Sequence, residues 1–267
     1  MHHQPKKRFG QNFIKDTNLL RKMVDASNIK GLNVLEIGPG LGALTQFLTL
    51  DAKKYLAYEI DHSLKPELKK YESPTSHIKF IDFLEDEDIN QTLNEYFEKE
   101  ELHLVGNLPY YITTPIIFKF LSIDQIKTAT IMVQKEVGER MISSLNTKAY
   151  NGFSAILQFY TNVTKVMVVN KKMFYPAPKV DSMVVRLEKR PSRLSVEQTS
   201  LYESIVKMSF GHKRKTLLNN LVDKTNEPKE TILKFLVSQG FDDKVRAENL
   251  SVDDFIRLTL NWPLIKK

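Results

Sequence analysis

The sequence predicts an α/β fold, a mostly parallel sheet of about seven strands with helices on both faces, followed by a small all-helical C-terminal domain. Three observations predict it. Short apolar runs rich in β-branched residues alternate with amphipathic stretches up to Glu188. A glycine-rich turn follows the first of these runs, and beyond Glu188 strand-like runs cease.

The runs Asn33 to Ile37, Tyr55 to Ile60, His77 to Ile81, Leu102 to Gly106 and Thr128 to Val133 read as buried strands. Between them, Ala43 to Leu50, Ser63 to Tyr71 and Ile89 to Phe97 repeat apolar residues at three and four positions, as helices packed on a sheet do. Alternation of this kind makes a parallel sheet covered on both faces. Lys165 to Val169 and Ser182 to Leu187 are two further strand-like runs with Pro176-Ala177-Pro178 between them, suited to an antiparallel edge. The segment Lys189-Arg190-Pro191-Ser192-Arg193 reads as a linker, which divides the chain into residues 1–188 and 189–267. Candidate helices beyond it are Thr199 to Phe210, Lys213 to Val222, Pro228 to Gln239 and Val252 to Leu260. Pro228 suits a first helical turn and Gly240 a helix stop.

Composition narrows the chemistry. The chain has 267 residues and no cysteine, which excludes disulfides, thiolate metal sites and cysteine nucleophiles. Its six histidines show no helix-borne metal-ligand spacing, so no structural metal is expected. No apolar stretch has the length of a membrane span. Met1 to Arg8 is polar and basic with no apolar segment behind it, so the expectation is a cytoplasmic protein without a secretory signal. The net charge is +7. From Lys189 onward there are 15 Lys and Arg against 10 Asp and Glu, so the C-terminal part carries most of the excess. With Lys6-Lys7-Arg8 ahead of the first apolar element, this points to a polyanionic partner.

The first strand ends in Glu36-Ile37-Gly38-Pro39-Gly40-Leu41-Gly42 and runs into a helical pattern. Glycines at a strand's carboxyl end, Gly38 and Gly40 among them, let the backbone approach a ligand closely, and the N–H groups beyond can serve its polar atoms. The spacing is G-x-G-x-G and not the dinucleotide G-x-G-x-x-G. Glu36 suits a cationic, sulfonium-bearing amino acid better than a pyrophosphate, which it repels. Glu59 closes the second strand, 21 positions after Gly38, where a carboxylate can accept both hydroxyls of a ribose. Asp61 reads as a helix cap. Asp82, at the end of the third strand, can accept the exocyclic amine of an adenine.

The fourth strand runs into Asn107-Leu108-Pro109-Tyr110. This loop resembles the catalytic loop of amino-group methyltransferases acting on adenine, and the resemblance implies that Asn107 and a neighbouring backbone carbonyl accept the target N–H bonds while Tyr110 stacks on the base. Physical chemistry supports the same roles. An aryl amine is a weak nucleophile because its lone pair is delocalised, and two acceptors oriented off the ring plane localise that pair toward an electrophilic methyl.

Four further segments extend the likeness over nearly the whole chain: Lys7 to Phe13, Gln134 to Val137, Phe174 to Ser182, and Arg246 to Ser251. With them the chain resembles the ribosomal RNA adenine dimethyltransferase family, in its small-subunit branch. That resemblance implies a Rossmann-like class I methyltransferase sheet, S-adenosylmethionine as cofactor, and dimethylation of two adjacent adenosines near the 3′ end of 16S ribosomal RNA in the assembling small ribosomal subunit. It implies a monomer that binds RNA through its C-terminal domain. It also brings Asn12 and Ile14 to the cofactor and Phe174 to the flipped adenine, opposite Tyr110. Tyr111 and Thr113 depart from the pattern, standing where many relatives carry Asn and Ser. Thr114-Pro115 reads as the start of the next helix, with Thr as cap. Three alternatives stand beside this reading: a large-subunit methyltransferase of the antibiotic-resistance type, a non-catalytic nucleic-acid-binding factor on the same fold, and a DNA adenine methyltransferase.

Overall fold

The computed structural model describes residues 6, 10–14, 16–225 and 227–262. They form β1 (Phe13–Ile14), α1 (Thr17–Ser27), β2 (Asn33–Ile37), α2 (Thr45–Asp51), β3 (Tyr55–Tyr58), α3 (Lys65–Leu68), β4 (Ser76–Lys79), α4 (Ile89–Phe97), β5 (Leu102–Asn107), α5 (Thr113–Ser122), β6 (Ile126–Gln134), α6 (Lys135–Met141), α7 (Gly152–Tyr160), β7 (Thr161–Val169), β8 (Phe174–Tyr175) and β9 (Ser182–Lys189). Beyond these lie α8 (Val196–Ser209), α9 (Leu217–Thr225), α10 (Lys229–Ser238) and α11 (Val252–Leu260).

Among the described residues, seven strands form one sheet in the order β4-β3-β2-β5-β6-β9-β7. The first five pair in parallel and β9 runs antiparallel to β6. All five residues of β2 are buried, as expected of a central strand with helices on both faces. The order places β2 beside β5, where successive crossovers leave in opposite directions; such a switch point opens a crevice at the carboxyl ends of the strands. α1 covers one face with Leu20, Met23, Val24 and Ser27, a helical stripe capped by Asp16 at its start and closed by Asn28 in the left-handed region.

The chain divides into two compact units, one of residues up to Gly138 with Val163–Lys189, the other of Glu139–Asn162 with the chain from Arg190 on. This corrects the single boundary drawn at the 188/189 linker. Tyr150, Ala155, Ile156 and Phe159 belong to the same buried cluster as Tyr202, Leu221, Leu236 and Phe255. Phe159 stacks on Tyr202 with ring centroids 4.2 Å apart, and the Tyr202 hydroxyl donates to the Ala155 carbonyl. Capping boxes at Asn151/Ser154, Ser195/Gln198 and Ser251/Asp254 start α7, α8 and α11.

Two local expectations also change. Lys213 to Lys215 precede α9, because the buried side chain of Asn220 accepts the His212 N–H and donates to the His212 carbonyl, holding a turn there. α5 starts at Thr113 with Ile112 at the cap position, since Ile112 N–H and the Thr113 hydroxyl already return to the Pro109 carbonyl; Thr114 is therefore inside the helix. β1 and β8 form a separate two-stranded antiparallel sheet, Phe13 opposite Tyr175 and Ile14 opposite Phe174, too short for any alternation to announce. Among the described residues no helix is long and apolar enough to cross a membrane, and no His, Asp and Glu cluster has the makings of a metal site.

Candidate active site

The ends of β2, β3, β4 and β5 line one cleft that opens to solvent, together with the arm segment Gly10 to Ile14. Gly38, Gly40 and Gly42 all have φ in the left-handed region, at 70°, 58° and 81°. That conformation is strained for other residues, and it turns the chain sharply between β2 and α2.

Each predicted acidic residue reaches this cleft. Glu59 is 4% exposed; its Oε2 accepts Gly40 N–H at 2.9 Å and its Oε1 accepts Asp61 N–H at 2.8 Å. Burial raises its pKa, against the pull of those backbone bonds. The carboxylate thereby locks the glycine turn to the end of β3 while each oxygen keeps a further lone pair. Glu36 is 1% exposed, and burial pushes its carboxyl up to about 7, although the hydroxyls of Tyr55 and Thr45 both donate to it. Asp82 is half-buried; its Oδ1 accepts Leu84 N–H at 2.8 Å, fixing its own turn and directing the carboxylate from the end of β4.

Asn107 ends β5. Its Nδ2 donates to the Asn12 carbonyl at 3.1 Å, and its Oδ1 has no hydrogen-bond partner among the described residues. An amide facing a carbonyl must present nitrogen to it, so the oxygen is the atom left for a substrate donor. Leu108 N–H is held by the Met132 carbonyl. The Pro109 carbonyl is already occupied by Ile112 and Thr113, whereas the Leu108 carbonyl accepts no bond among the described residues. Tyr110 lines the cleft with its hydroxyl 2.6 Å from the Oγ of fully buried Ser182, and burial raises its pKa.

The arm is fastened at both ends. Lys6 Nζ donates to Asp61 Oδ1 at 2.6 Å and Gln11 Nε2 to Asp61 Oδ2 at 2.9 Å. Despite burial, the Lys6 ammonium and the Ser63 and Gln11 donors hold the Asp61 carboxyl well below the usual aspartate range. Asp61 also caps the following turn at Ser63, as expected. At the other end β1 pairs with β8. Between the two, the Phe13 ring approaches within 3.1 Å of where a Cβ on Gly40 would stand. Asn12 and Ile14 both line the cleft.

These features coincide with a defined family. The ribosomal RNA adenine dimethylase family profile matches residues 2–262. The chain belongs to that family. It is 46% identical over 98% of its length to 97% of a ribosomal RNA small subunit methyltransferase A of Onion yellows phytoplasma (strain OY-M), and 41% identical to the protein of that name from Bacillus cereus (strain B4264), over 95% of this chain and 90% of the other. Among solved structures, a dimethyladenosine transferase from Plasmodium falciparum superposes with a TM-score of 0.78 at 29% identity, covering 94% of this chain and 97% of that one. The 23S rRNA methyltransferase ErmE superposes with a TM-score of 0.70 at 27% identity, over 94% and 99%. The fold is that of class I methyltransferases, and the family member described here is a ribosomal RNA adenine dimethyltransferase.

In this dimethyltransferase, Asn12, Ile14, Glu36, Gly38, Gly40, Glu59, Asp82, Asn107, Leu108, Pro109 and Tyr110 all line the cleft. Phe174 does not. It is 5% exposed and packs in the core with Ile14 and Val169, anchoring the strand that holds the arm. An aromatic beside a proline-rich turn has buried itself, which its sequence context allowed from the start. Tyr111 takes a place on the cleft wall instead, 58% exposed, with its ring 3.3 Å from the Cβ position of Gly10. Sequence reasoning missed Tyr55, Thr45 and Ser182, which reach Glu36 and Tyr110 only through tertiary packing. It also assigned Lys6 to RNA, whereas Lys6 is bonded to Asp61; Lys7 and Arg8 lie outside the described residues.

Proposed function

We propose that this dimethyltransferase uses S-adenosylmethionine to convert two adjacent adenosines near the 3′ end of 16S ribosomal RNA to N6,N6-dimethyladenosine, acting on the assembling small subunit as a monomer in the cytoplasm. The observation that carries the chemistry is the Asn107 amide, tethered through nitrogen to Asn12 with its oxygen left for a donor at the cleft. Small-subunit specificity is supported by relatives at 41–46% identity over nearly their whole lengths that carry the small-subunit name, against 27% for the large-subunit enzyme ErmE.

The residues of the cleft fit the cofactor. A buried carboxylate at Glu36 attracts a cationic amino-acid end, Glu59 has lone pairs left for ribose hydroxyls, and Asp82 stands where an adenine amine can be accepted. When bound, S-adenosylmethionine supplies an electrophilic methyl group on a sulfonium. Asn107 Oδ1 and the Leu108 carbonyl then accept the two N–H bonds of the target amine, turning its lone pair out of conjugation and stabilising the positive charge that develops on nitrogen. Tyr110, steadied by Ser182, and exposed Tyr111 offer ring faces to an extruded base. No strong base is required, because the proton leaves an amine that has become cationic. A second round needs the singly methylated amine to return its remaining N–H to one of these acceptors.

The test offers duplex DNA, naked ribosomal RNA and small ribosomal particles side by side with labelled S-adenosylmethionine, followed by mass spectrometry of the product. Dimethyladenosine at two neighbouring positions of the small-subunit RNA is the expected result. Methylation of large-subunit RNA alone, or a product that stops at one methyl under excess cofactor, would overturn the reading.

A further inference from the structure

We infer that Lys119 is a positioning residue for cofactor recognition, bracing the loop that carries Asp82 and tying it to the segment that carries Asn107. The inference rests on the reading of Asp82 as acceptor of the cofactor's adenine amine.

Lys119 lies on α5, the helix that begins just after the Asn107 loop. Its Nζ donates to three backbone carbonyls of one short loop: Phe83 at 2.6 Å, Leu84 at 3.0 Å and Asp86 at 3.1 Å. An ammonium has three N–H bonds, and here all three are used on one target. Three carbonyl dipoles converging on one point repel one another, so the loop does not hold this shape unaided. The ammonium also sits 5.2 Å from the centre of the Phe83 ring, and Phe83 lines the cleft.

The Leu84 peptide is the link to Asp82. The Leu84 N–H donates to Asp82 Oδ1, and the carbonyl of that same peptide plane, that of Phe83, accepts from Lys119 Nζ, so the plane is fixed from both sides. Loss of the ammonium frees that plane, and with it the direction in which the Asp82 carboxylate faces. Downstream the loop is pinned again. Asp86, 6% exposed, accepts the hydroxyl of cleft-lining Tyr58 at 2.7 Å and Lys79 Nζ at 3.0 Å. Burial lowers the pKa of Lys119, while the charges of Asp86 and Asp82 act to raise it, as expected of a cation set among these groups. Because Lys119 stands on α5, which begins six residues after Asn107, the loop that orients the target amine and the loop that reads the cofactor's base share one strut.

A purely structural staple and a positioning residue differ in one measurable respect. Calorimetric titration compares S-adenosylhomocysteine with its inosine counterpart, which lacks the adenine amine, on the wild-type chain, Lys119→Met, Asp82→Ala and the double variant. Each single variant should weaken S-adenosylhomocysteine about tenfold, the size of one lost charge-assisted hydrogen bond. The inosine counterpart should bind within about twofold of wild type, and the double variant no worse than Asp82→Ala alone. If Lys119→Met does not fold, Lys119→Gln carries the same comparison. Equal weakening of both ligands by Lys119→Met overturns the inference, as does wild-type affinity in that variant while Asp82→Ala loses it. Wild-type affinity in Asp82→Ala overturns the reading of Asp82 itself, and the inference with it.

Discussion

Asn107 donates a side-chain N–H to the backbone carbonyl of Asn12, 3.1 Å away, and so this cleft-lining amide is oriented by the segment Gly10 to Ile14, which lines the same cleft. The seating of Asn12 and the direction of the Asn107 oxygen are therefore coupled through one bond. Loss of the Asn12 carbonyl leaves the amide free to rotate, so this one contact sets the direction of the Asn107 oxygen.

Asn107→Ala removes that acceptor while most of the cleft wall stays in place. The turnover number should fall on the order of a hundredfold to a thousandfold, as for loss of one preorganised polar partner elsewhere. Thermal unfolding and S-adenosylhomocysteine affinity should change little. An Asn107→Ala enzyme that keeps its rate removes the residue from the mechanism.

Glu59, proposed above as the acceptor for ribose hydroxyls, also accepts Gly40 N–H. Glu59→Ala should weaken S-adenosylmethionine by roughly one to two orders of magnitude, the range expected for a charge-assisted hydrogen bond. Glu59→Gln keeps one carbonyl acceptor for the backbone and should fall between the two. Unchanged affinity in calorimetry for Glu59→Ala contradicts the assignment.

Glu36 makes binding depend on pH. Its carboxyl is raised by burial from 4.5 to about 7, so the protonated form is the one the folded chain favours. Its contribution to stability is complete below about 4.5 and is lost as pH rises through about 7. A cationic ligand reverses the preference, since it stabilises the carboxylate. S-adenosylmethionine affinity should climb as pH rises toward about 7 and then level, with proton release on binding at the lower end. In Glu36→Gln the affinity should be weaker and the climb absent. A wild-type climb retained in that variant would falsify the role of Glu36.

The excess of basic residues beyond Lys189 should act through RNA phosphates. Because residues 139–162 pack into the same cluster as α8 and α11, truncation at the linker strips partners from Tyr150, Ile156 and Phe159 and tests folding more than RNA binding. Charge removal is the cleaner experiment. Lys213→Ala with Arg214→Ala should weaken RNA binding and flatten its logarithmic salt dependence by about 0.7 for each single-strand phosphate that is no longer neutralised. An unaltered salt slope excludes this turn from the interface.

The sheet and the cleft were readable because their signals are local. Short apolar runs mark β2, β3, β5 and β6, closely spaced glycines mark the first turn, and Glu59, Asp82 and Asn107 each stand where a strand ends. What escaped depends on partners distant in sequence. The acidity of Glu36 is set by its burial and by Tyr55 and Thr45, the latch on Asp61 by Lys6 far earlier in the chain, and the burial of Phe174 by its pairing with Ile14. The grouping of residues 139–162 with the C-terminal helices escaped for the same reason: α7 reads as an apolar helix, and its sequence does not say which core it joins.

The position of β9 has a consequence for the nascent chain. β6 is covered along one side only when β9 arrives, from Ser182 to Lys189, yet β6 itself ends at Gln134. At a synthesis rate of about 5–20 residues per second, the apolar edge of β6 spends several seconds outside the exit tunnel with no strand to cover it. During that interval the first five strands can assemble but the sheet cannot close, so this stretch of synthesis is where chaperone demand and cross-pairing between neighbouring nascent chains should concentrate.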